Sequence, residues 1–509
     1  MLRTWITVAA TLGGLPVTSA RRAQGRASGV PACDALRDVG LGDRLLFPGD
    51  PRFEPEIETW PAENARLRPY CLVLPHNKEE VSTALKALVS INDGAGDWHI
   101  AVRSGGHSYP GSNGIERGVT IDLSQMNSSR YDPTSNLASI EPGARWRDVY
   151  ANLDSNGVVV TGGRDGSVGV GGFLLGGGMS YFTGKMGFGC DSIVNYEVVL
   201  ADGTIVNANR NTNADLWRAL KGGGNNFGIV TRFDIEAIPT RDLFYDVRTM
   251  SYEHTDAVVE TVVGFANQEQ SLSANHLVTY YSFEPRDRPD IIVNTIYVNV
   301  EGDGESPTPF DKLRALPALT NSTVLQTMAE ASAGGGVGTG TRNAASTLSF
   351  KNDPELIRRV IELHTEFVET LKKYLAPEKF QSGIFLQPIP PYLAEIGKQR
   401  GGNMLGLDRV SEGIIMWTGG VGIVDGTDQD FAVAQAELHA LTAQVKELSQ
   451  SLGGDKEFVY LNYAYGFQDP VGSYGAENIQ HIRDVAAKYD PTGVFQKRIP
   501  GGFKISRVR

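Results

Sequence analysis

The chain has only three cysteines in 509 residues, Cys33, Cys71 and Cys190. No two stand in Cys-x-x-Cys spacing, so a thiolate zinc site is excluded and no metal is expected. Basic residues are in deficit: 47 Lys and Arg against 59 Asp and Glu leave a net charge of −12. Nucleic acid and anionic membrane both call for a basic face, so neither is an expected partner. Beyond the N-terminus no apolar run is long enough to cross a bilayer. Two phosphate motifs are missing as well. No glycine is followed by Lys-Ser/Thr as a P-loop requires, and no strand–GxGxxG–helix order with a later acidic residue marks a Rossmann fold. Internal repeats are absent.

What is present begins at the N-terminus. Arg3 supplies a positive start, residues 6–17 form a short apolar core, and Thr18-Ser19-Ala20 is a small-residue cleavage site. This reads as a secretory signal peptide over 1–20, followed by an unstructured stretch to about Pro31. Export would make the sequons at Asn127 and Asn321 acceptors for N-glycans. A chain this long exceeds one ordinary core, so two domains are expected.

Glycine is abundant, 59 residues, and it clusters. A strand ending in Ile100-Ala101-Val102 runs into Arg103-Ser104-Gly105-Gly106-His107-Ser108-Tyr109. The glycines let backbone N–H groups turn towards an anion, and the histidine then stands where a ligand on that loop would lie. Histidine there could be a metal ligand, an acid–base group or a covalent anchor. A second cluster runs from Gly162 through Arg164, Asp165, Val168, Gly169 and Gly172 to Gly176, Gly177 and Gly178. A third comprises Gly222, Gly223, Gly224, Asn225, Asn226, Phe227 and Gly228, then Ile229 and Val230.

Taken in order, with Asn195-Tyr-Glu-Val-Val-Leu-Ala-Asp-Gly203, Tyr460-Leu-Asn462-Tyr463 and Tyr489-Asp-Pro-Thr-Gly-Val-Phe-Gln496, these motifs resemble the berberine-bridge-enzyme-like branch of the FAD-linked oxidases, whose flavin domain is of the vanillyl-alcohol-oxidase, or PCMH, type. The resemblance covers nearly the whole mature chain. It implies an α+β fold: a two-part PCMH-type FAD-binding domain over 65–240, an antiparallel-sheet substrate domain with helices on one face over 241–454, and a C-terminal segment over 455–509 that returns to the flavin domain. Export permits Cys33 and Cys71 to pair, and the family often carries a disulfide there. Cys190 is left over as a small buried apolar residue.

The local signals agree with that division. Asn77 and Glu80 form a capping box before a helix over 79–91. Strand signals at 197–200 and 205–207 flank the turn Asp202-Gly203 as a hairpin. A short helix is expected over 215–220 and a strand over 227–235. Further on come a strand over 291–300 and two amphipathic helices, one carrying Leu356, Val360, Leu363, Phe367, Val368 and Leu371 on one face, the other Phe431, Ala434, Leu438, Leu441 and Val445. The low-complexity run 334–340 reads as a surface linker or a lid.

The resemblance implies FAD as cofactor. The backbone of Ser104, Gly105, Gly106 and Ser108 is expected at the pyrophosphate, and His107 is expected to be bonded to the flavin 8α-methyl. Arg103, Val168, Gly169, Gly172, Gly176, Gly177, Gly228, Ile229, Val230, Asn462 and Tyr463 complete the expected cofactor contacts. Relatives with a second covalent link carry a cysteine where this chain has Asp165, so a single link is expected. Val168 holds a position that gates oxygen in relatives, and valine leaves room for it. Tyr109 and Tyr460 are the expected catalytic residues, either serving as a phenolate base if neighbours lower its pKa. Tyr465 replaces the family's usual aspartate, so hydrogen bonding there should differ. Some relatives use a carboxylate base on the substrate sheet. Glu412 is the candidate counterpart, with Gln387 and Trp417 as pocket liners.

The expected activity is that of a monomeric, secreted oxidase. It takes hydride from a small organic substrate, an alcohol or a polyketide or alkaloid intermediate, and O2 regenerates FAD with release of H2O2. Two alternatives stand beside it: an oligosaccharide C1 oxidase, and a flavin-containing cyclase that templates a pericyclic ring closure without net oxidation.

Overall fold

The structure is a computed structural model, and it describes residues 27–91, 99–333 and 340–508. The expected signal peptide and most of the 334–340 run lie outside these residues.

The first unit is a four-stranded sheet in the order Leu45–Leu46, Cys71–Val73, Val119–Asp122, Ile100–Arg103. Its last three strands are parallel, and the helix Lys78–Ser90 packs on it. Asn77 caps that helix by accepting from the Glu80 N–H at 2.9 Å. The Glu80 carboxylate turns away from Asn77 to accept from the His76 N–H and pair with Arg44. The disulfide Cys33–Cys71 ties the preceding helix Pro31–Leu36 to the sheet, and Cys190 is buried and free.

The second unit is an antiparallel five-stranded sheet, Ser129–Asp132, Leu137–Ile140, Ile229–Glu236, Ile193–Val199, Ile205–Asn209. Gly203, at φ 79°, turns the hairpin between its last two strands. Its core holds the fully buried Trp146, Tyr150 and Tyr196.

An eight-stranded antiparallel sheet follows, in the order Thr320–Gln326, Leu243–Ser251, Ile292–Asn299, Asn275–Phe283, Phe380–Ile389, Ile414–Ile423, Arg342–Lys351, Asp455–Lys456. Strand side chains alternate between faces. Leu277, Tyr281, Ile384, Leu386, Ile415 and Trp417 point into a core closed by the helices Thr255–Ala266, Pro354–Leu371 and Asp428–Ser451. The long helices are well started. Asp353 accepts from the N–H groups of Glu355 and Leu356, and Thr427 and Asp430 form a capping box. Each such cap is worth about 1 kcal/mol. The opposite parity, His276, Val278, Tyr280, Phe385, Gln387 and Met416, is turned towards the first two units, the flavin-type units of the resemblance. Position 454 does not end this sheet, because Asp455–Lys456 is its edge strand.

The C-terminal segment packs back on the first two units. The Ile100 N–H donates to the Arg498 carbonyl, and Asn226 Nδ2 donates to the Phe503 carbonyl. Among the described residues no helix is long and apolar enough to cross a membrane.

Candidate active site

Parallel pairing with Val119–Asp122 delivers the chain to the loop 104–108. Gly106 sits at φ 76°, a left-handed conformation that glycine adopts without strain. A Cβ on Gly105 would fall on the Gly169 backbone nitrogen, and one on Gly169 would fall on Gly105, so the first and second glycine clusters interlock backbone to backbone. Ser104 staples the same junction: its Oγ donates to the Pro142 carbonyl at 2.6 Å and accepts from the Gly171 N–H at 3.1 Å. The N–H groups of Gly105, Gly106, His107 and Ser108 donate to no protein acceptor among the described residues. Four consecutive undonated N–H groups make an anion cradle. Arg145, which the sequence reading did not single out, reaches in beside it and donates to the Ser167 carbonyl. Gly172 has an ordinary φ, and a Cβ there would meet nothing within 4 Å. Protein packing does not demand glycine at that point, but a bound planar group would.

His107 lies across the junction, with Nε2 3.0 Å from the Ser167 carbonyl oxygen and 3.3 Å from Ser167 Oγ. Burial pushes its pKa down to about 4, against the opposing pull of Asp165. The ring is therefore neutral at physiological pH. A carbonyl can only accept, so Nε2 carries the proton and Nδ1 keeps its lone pair. Asp165 holds this arrangement by accepting from the Ser167 N–H at 2.8 Å and the Ser167 hydroxyl at 2.7 Å.

Beside it, Arg164 bridges to the large sheet. Its guanidinium donates to Gln387 Oε1 at 2.7 Å, to Tyr463 Oη at 2.7 Å and to His276 Nε2 at 2.9 Å. Burial, and next the Arg164 charge, push His276 far below the ordinary imidazole pKa, so its ring is neutral and accepts. Burial disfavours the Arg164 charge too, but the phenols of Tyr463, Tyr181 and Tyr460 outweigh that and hold its pKa above the usual arginine value. Tyr181 in turn meets Tyr245 hydroxyl to hydroxyl at 3.3 Å. Arg164 lies within the second glycine cluster but was assigned no role there, and no motif marks His276, Tyr181 or Tyr245.

The structure brings Tyr460, Asn462 and Tyr463 to this junction. Tyr460 is 1% exposed, its oxygen accepts from the Gly178 N–H at 2.9 Å, and its ring meets Tyr463 edge-on at 4.9 Å. Asn462 donates to the Phe173 carbonyl at 2.9 Å, and a Cβ on Gly176 would fall on its side-chain oxygen. Val168 packs partly buried against the same core.

Several expectations change. Tyr109 stands apart, packed on Tyr465 and Phe503 at 5.8 and 5.2 Å, and burial raises its pKa. Burial, and then Tyr463, raises that of Tyr460 further. The lowered pKa that a phenolate base requires is met at neither; the phenol oxygen that touches a cation is that of Tyr463. Arg103 packs beneath the loop, its Nε 3.3 Å from where a Cβ on Gly106 would stand, but its hydrogen bonds go elsewhere. Its guanidinium is locked between Asp122, Glu56, Thr59 and the Trp60 ring. Trp417 is fully buried on the helix face of its strand, packed near Leu438, while its neighbour Met416 faces the flavin-type units. It lines no pocket, because period-two alternation sends it the other way. Glu412 is exposed and paired with Lys456, away from Arg164. Gln387 is buried, at 2% exposure, and accepts from Arg164. In the third cluster, a Cβ on Gly228 would strike the Val198 side chain, and Ile229 and Val230 fill cores on either side of the sheet. Protein packing accounts for these three. Tyr465, at the aspartate position, donates to the Asn343 carbonyl at 3.0 Å, tying the turn to the large sheet. Ser108 is exposed.

Residues 69–209 match the FAD binding domain family. The chain is 35% identical over 484 residues to the FAD-dependent monooxygenase DrtC of Aspergillus calidoustus, covering 94% of this chain and 90% of that protein. It is 34% identical to the FAD-dependent monooxygenase SdcF of Emericella nidulans, covering 94% and 98%. Its fold is similar to 6-hydroxy-D-nicotine oxidase of Arthrobacter nicotinovorans, at TM-score 0.72 and 18% identity over 91% of this chain and 97% of that one. It is also similar to berberine bridge enzyme of Eschscholzia californica, at TM-score 0.70 and 17% identity over 92% and 99%. The chain therefore belongs to the family of FAD-linked oxidoreductases that includes the FAD-dependent monooxygenases DrtC and SdcF, and it has the fold of berberine bridge enzyme.

Proposed function

We propose that the protein is a secreted oxidase that holds FAD through one covalent bond at His107 and oxidises a small organic substrate, an alcohol or a secondary-metabolite intermediate, releasing H2O2. Bound FAD supplies a hydride acceptor and a site for O2 reduction. The observation that carries the reading is the neutral His107, with Nδ1 bearing its lone pair at the end of a cradle of undonated N–H groups. Asp165 cannot form a thioether, and here it orients Ser167, the partner of His107. A single link follows. Arg164 and Tyr463 then face the substrate side: Tyr463 is the candidate proton acceptor, and Arg164 the group that orients it. Secretion is supported by the Cys33–Cys71 disulfide and by the exposure of Asn127 and Asn321.

The test is acid precipitation followed by peptide mapping. Flavin is expected in the pellet, on the His107 peptide alone, and absent from it in His107→Ala with most activity lost. Full activity of His107→Ala with flavin still attached overturns the anchor. The relatives' name, FAD-dependent monooxygenase, favours a second reading in which an oxygen atom enters the product. Turnover under isotopically labelled O2 separates them: the oxidase places the label in peroxide, the monooxygenase in product. Turnover without O2 would instead favour the cyclase, and peroxide production on oligosaccharides alone the C1 oxidase.

A further inference from the structure

Arg164 has five N–H donors, and three are used, all on neutral acceptors: Gln387 Oε1, Tyr463 Oη and His276 Nε2. No carboxylate pairs with it among the described residues. Arg145 likewise donates to a backbone carbonyl, but three other arginines of the fold are paired with carboxylates. Arg103 clasps Asp122 and Glu56, Arg232 clasps Glu197 and Asp234, and Arg248 clasps Asp246. A guanidinium taken out of water is best met by an anion, and here the described residues offer it a phenol, an amide and an imidazole but no carboxylate. The imidazole beside it cannot help, since it is neutral.

The same sheet face carries a second feature. Tyr280 and Phe385 are direct cross-strand partners, with rings stacked at 5.0 Å and 25°. Phe385 is 36% exposed, so the stacked pair presents ring surface outward rather than to a core. It stands two residues from Gln387 along one strand, roughly 7 Å away. A cation without a carboxylate and an open aromatic pair therefore meet the same face of one strand, the first at Gln387 and the second two residues away at Phe385.

We infer that the substrate is a planar conjugated ring bearing an anionic oxygen, a phenolate or enolate, with the oxygen on Arg164 and the ring on Tyr280 and Phe385. This rests on the oxidase reading above, and it names the class of substrate for that site. The ion pair would complete the Arg164 coordination, and desolvation inside the site would strengthen it. The aromatic shelf would fix the ring plane.

The experiment uses flavin-loaded enzyme and two probes that differ only in the charge on oxygen: 4-cyanophenolate, at a pH where it is ionised, and its methyl ether 4-methoxybenzonitrile, both titrated by calorimetry. The intact enzyme is expected to bind the phenolate at least about 10-fold more tightly than the ether, and Arg164→Gln to lose that preference while Arg164→Lys keeps part of it. Phe385→Ala is expected to weaken both probes alike. Equal affinity for the two probes, binding of neither, or a preference that survives in Arg164→Gln overturns the inference. A neutral oligosaccharide as the preferred oxidised substrate does so as well. If Arg164→Gln does not fold, the comparison of probes on the intact enzyme still decides. The oxidase reading is checked separately, by reducing the flavin with dithionite and following reoxidation by O2 to peroxide, which needs no substrate. Normal reoxidation without phenolate preference removes the substrate class alone; failed reoxidation removes the oxidase.

Discussion

The strand that delivers the His107 loop is anchored by one buried ion pair, and breaking it should loosen the flavin. Arg103 and Asp122 are register partners on neighbouring parallel strands, 1% and 0% exposed in their side chains, with 2.6 Å between Nη1 and Oδ2. Glu56 gives Arg103 a second carboxylate at 2.8 Å, but its side chain is 19% exposed and so less desolvated. Burial, and next the Asp122 charge, raise the Glu56 pKa. Asp122→Ala removes the drier carboxylate and the bond it accepts from the Ser124 N–H. Stranding a buried charge outright costs about 3–5 kcal/mol. Glu56 stays behind, and ionises more readily once Asp122 is gone, so about 2–3 kcal/mol is expected here. Replacing both partners by apolar groups removes the buried guanidinium and leaves only the Glu56 carboxylate, which is 19% exposed and can be hydrated or take up a proton, so Arg103→Met with Asp122→Leu should cost less than Asp122→Ala alone. The assay is urea unfolding of the flavin-loaded protein, read by far-ultraviolet circular dichroism and by flavin fluorescence. Flavin release should move to lower urea in Asp122→Ala and recover in the double variant. The reasoning is refuted if Asp122→Ala costs under about 0.5 kcal/mol, or if the double variant is the less stable of the two.

Three further outcomes follow from the site and the core. Tyr463→Phe should slow flavin reduction by substrate roughly 100-fold or more in stopped flow, whereas Tyr109→Phe and Glu412→Gln should change it by less than about 3-fold; the reverse order would return the role to Tyr109. Val168→Leu should slow reoxidation by O2 and spare reduction, and unchanged oxygen kinetics would remove the gating argument. His364 is 1% exposed, and burial pushes its pKa down to about 3. The unfolded chain takes up that proton near pH 6.5 while the folded one resists, so stability should fall as pH drops from about 6.5 towards 3, with a slope of up to about 1.4 kcal/mol per pH unit. His364→Leu should flatten the dependence of the urea midpoint on pH by one proton; an unchanged slope would show that the histidine is already charged in the fold.

The fold was legible wherever a local signal had a single physical cause. The Asn77 cap, the Asp202-Gly203 hairpin and the apolar faces of the two long helices each depend on residues a few positions apart, and each stands where the spacing predicts. The helix Thr255–Ala266 gave no comparable signal, since its run of valines reads equally well as strand. Glycine was readable as a need for close approach but not for what approaches. At Gly105 and Gly169 it is another backbone, at Gly176 the Asn462 side chain, at Gly228 Val198. Only the structure singles out Gly172 as the one of these whose missing side chain faces open space.

The site divides along the same line. The motif residues of the His107 loop are contiguous, so the chain announces them. The network that gives the site its charge is not. Arg164 meets His276, Gln387 and Tyr463 across 112, 223 and 299 residues of sequence, and no periodicity links positions so far apart. Parity decided the remaining cases. Gln387 and Trp417 both lie mid-strand in neighbouring strands and both seemed fit to line a pocket, yet Trp417 pairs with Leu386 rather than with Gln387. One residue of register therefore turns Trp417 into the helix core and leaves Gln387 to receive the guanidinium. Sequence can name a strand, but which of its faces meets the flavin-type units depends on how the sheet docks, and that docking is fixed by contacts such as Tyr465 to Asn343 that only the assembled chain contains.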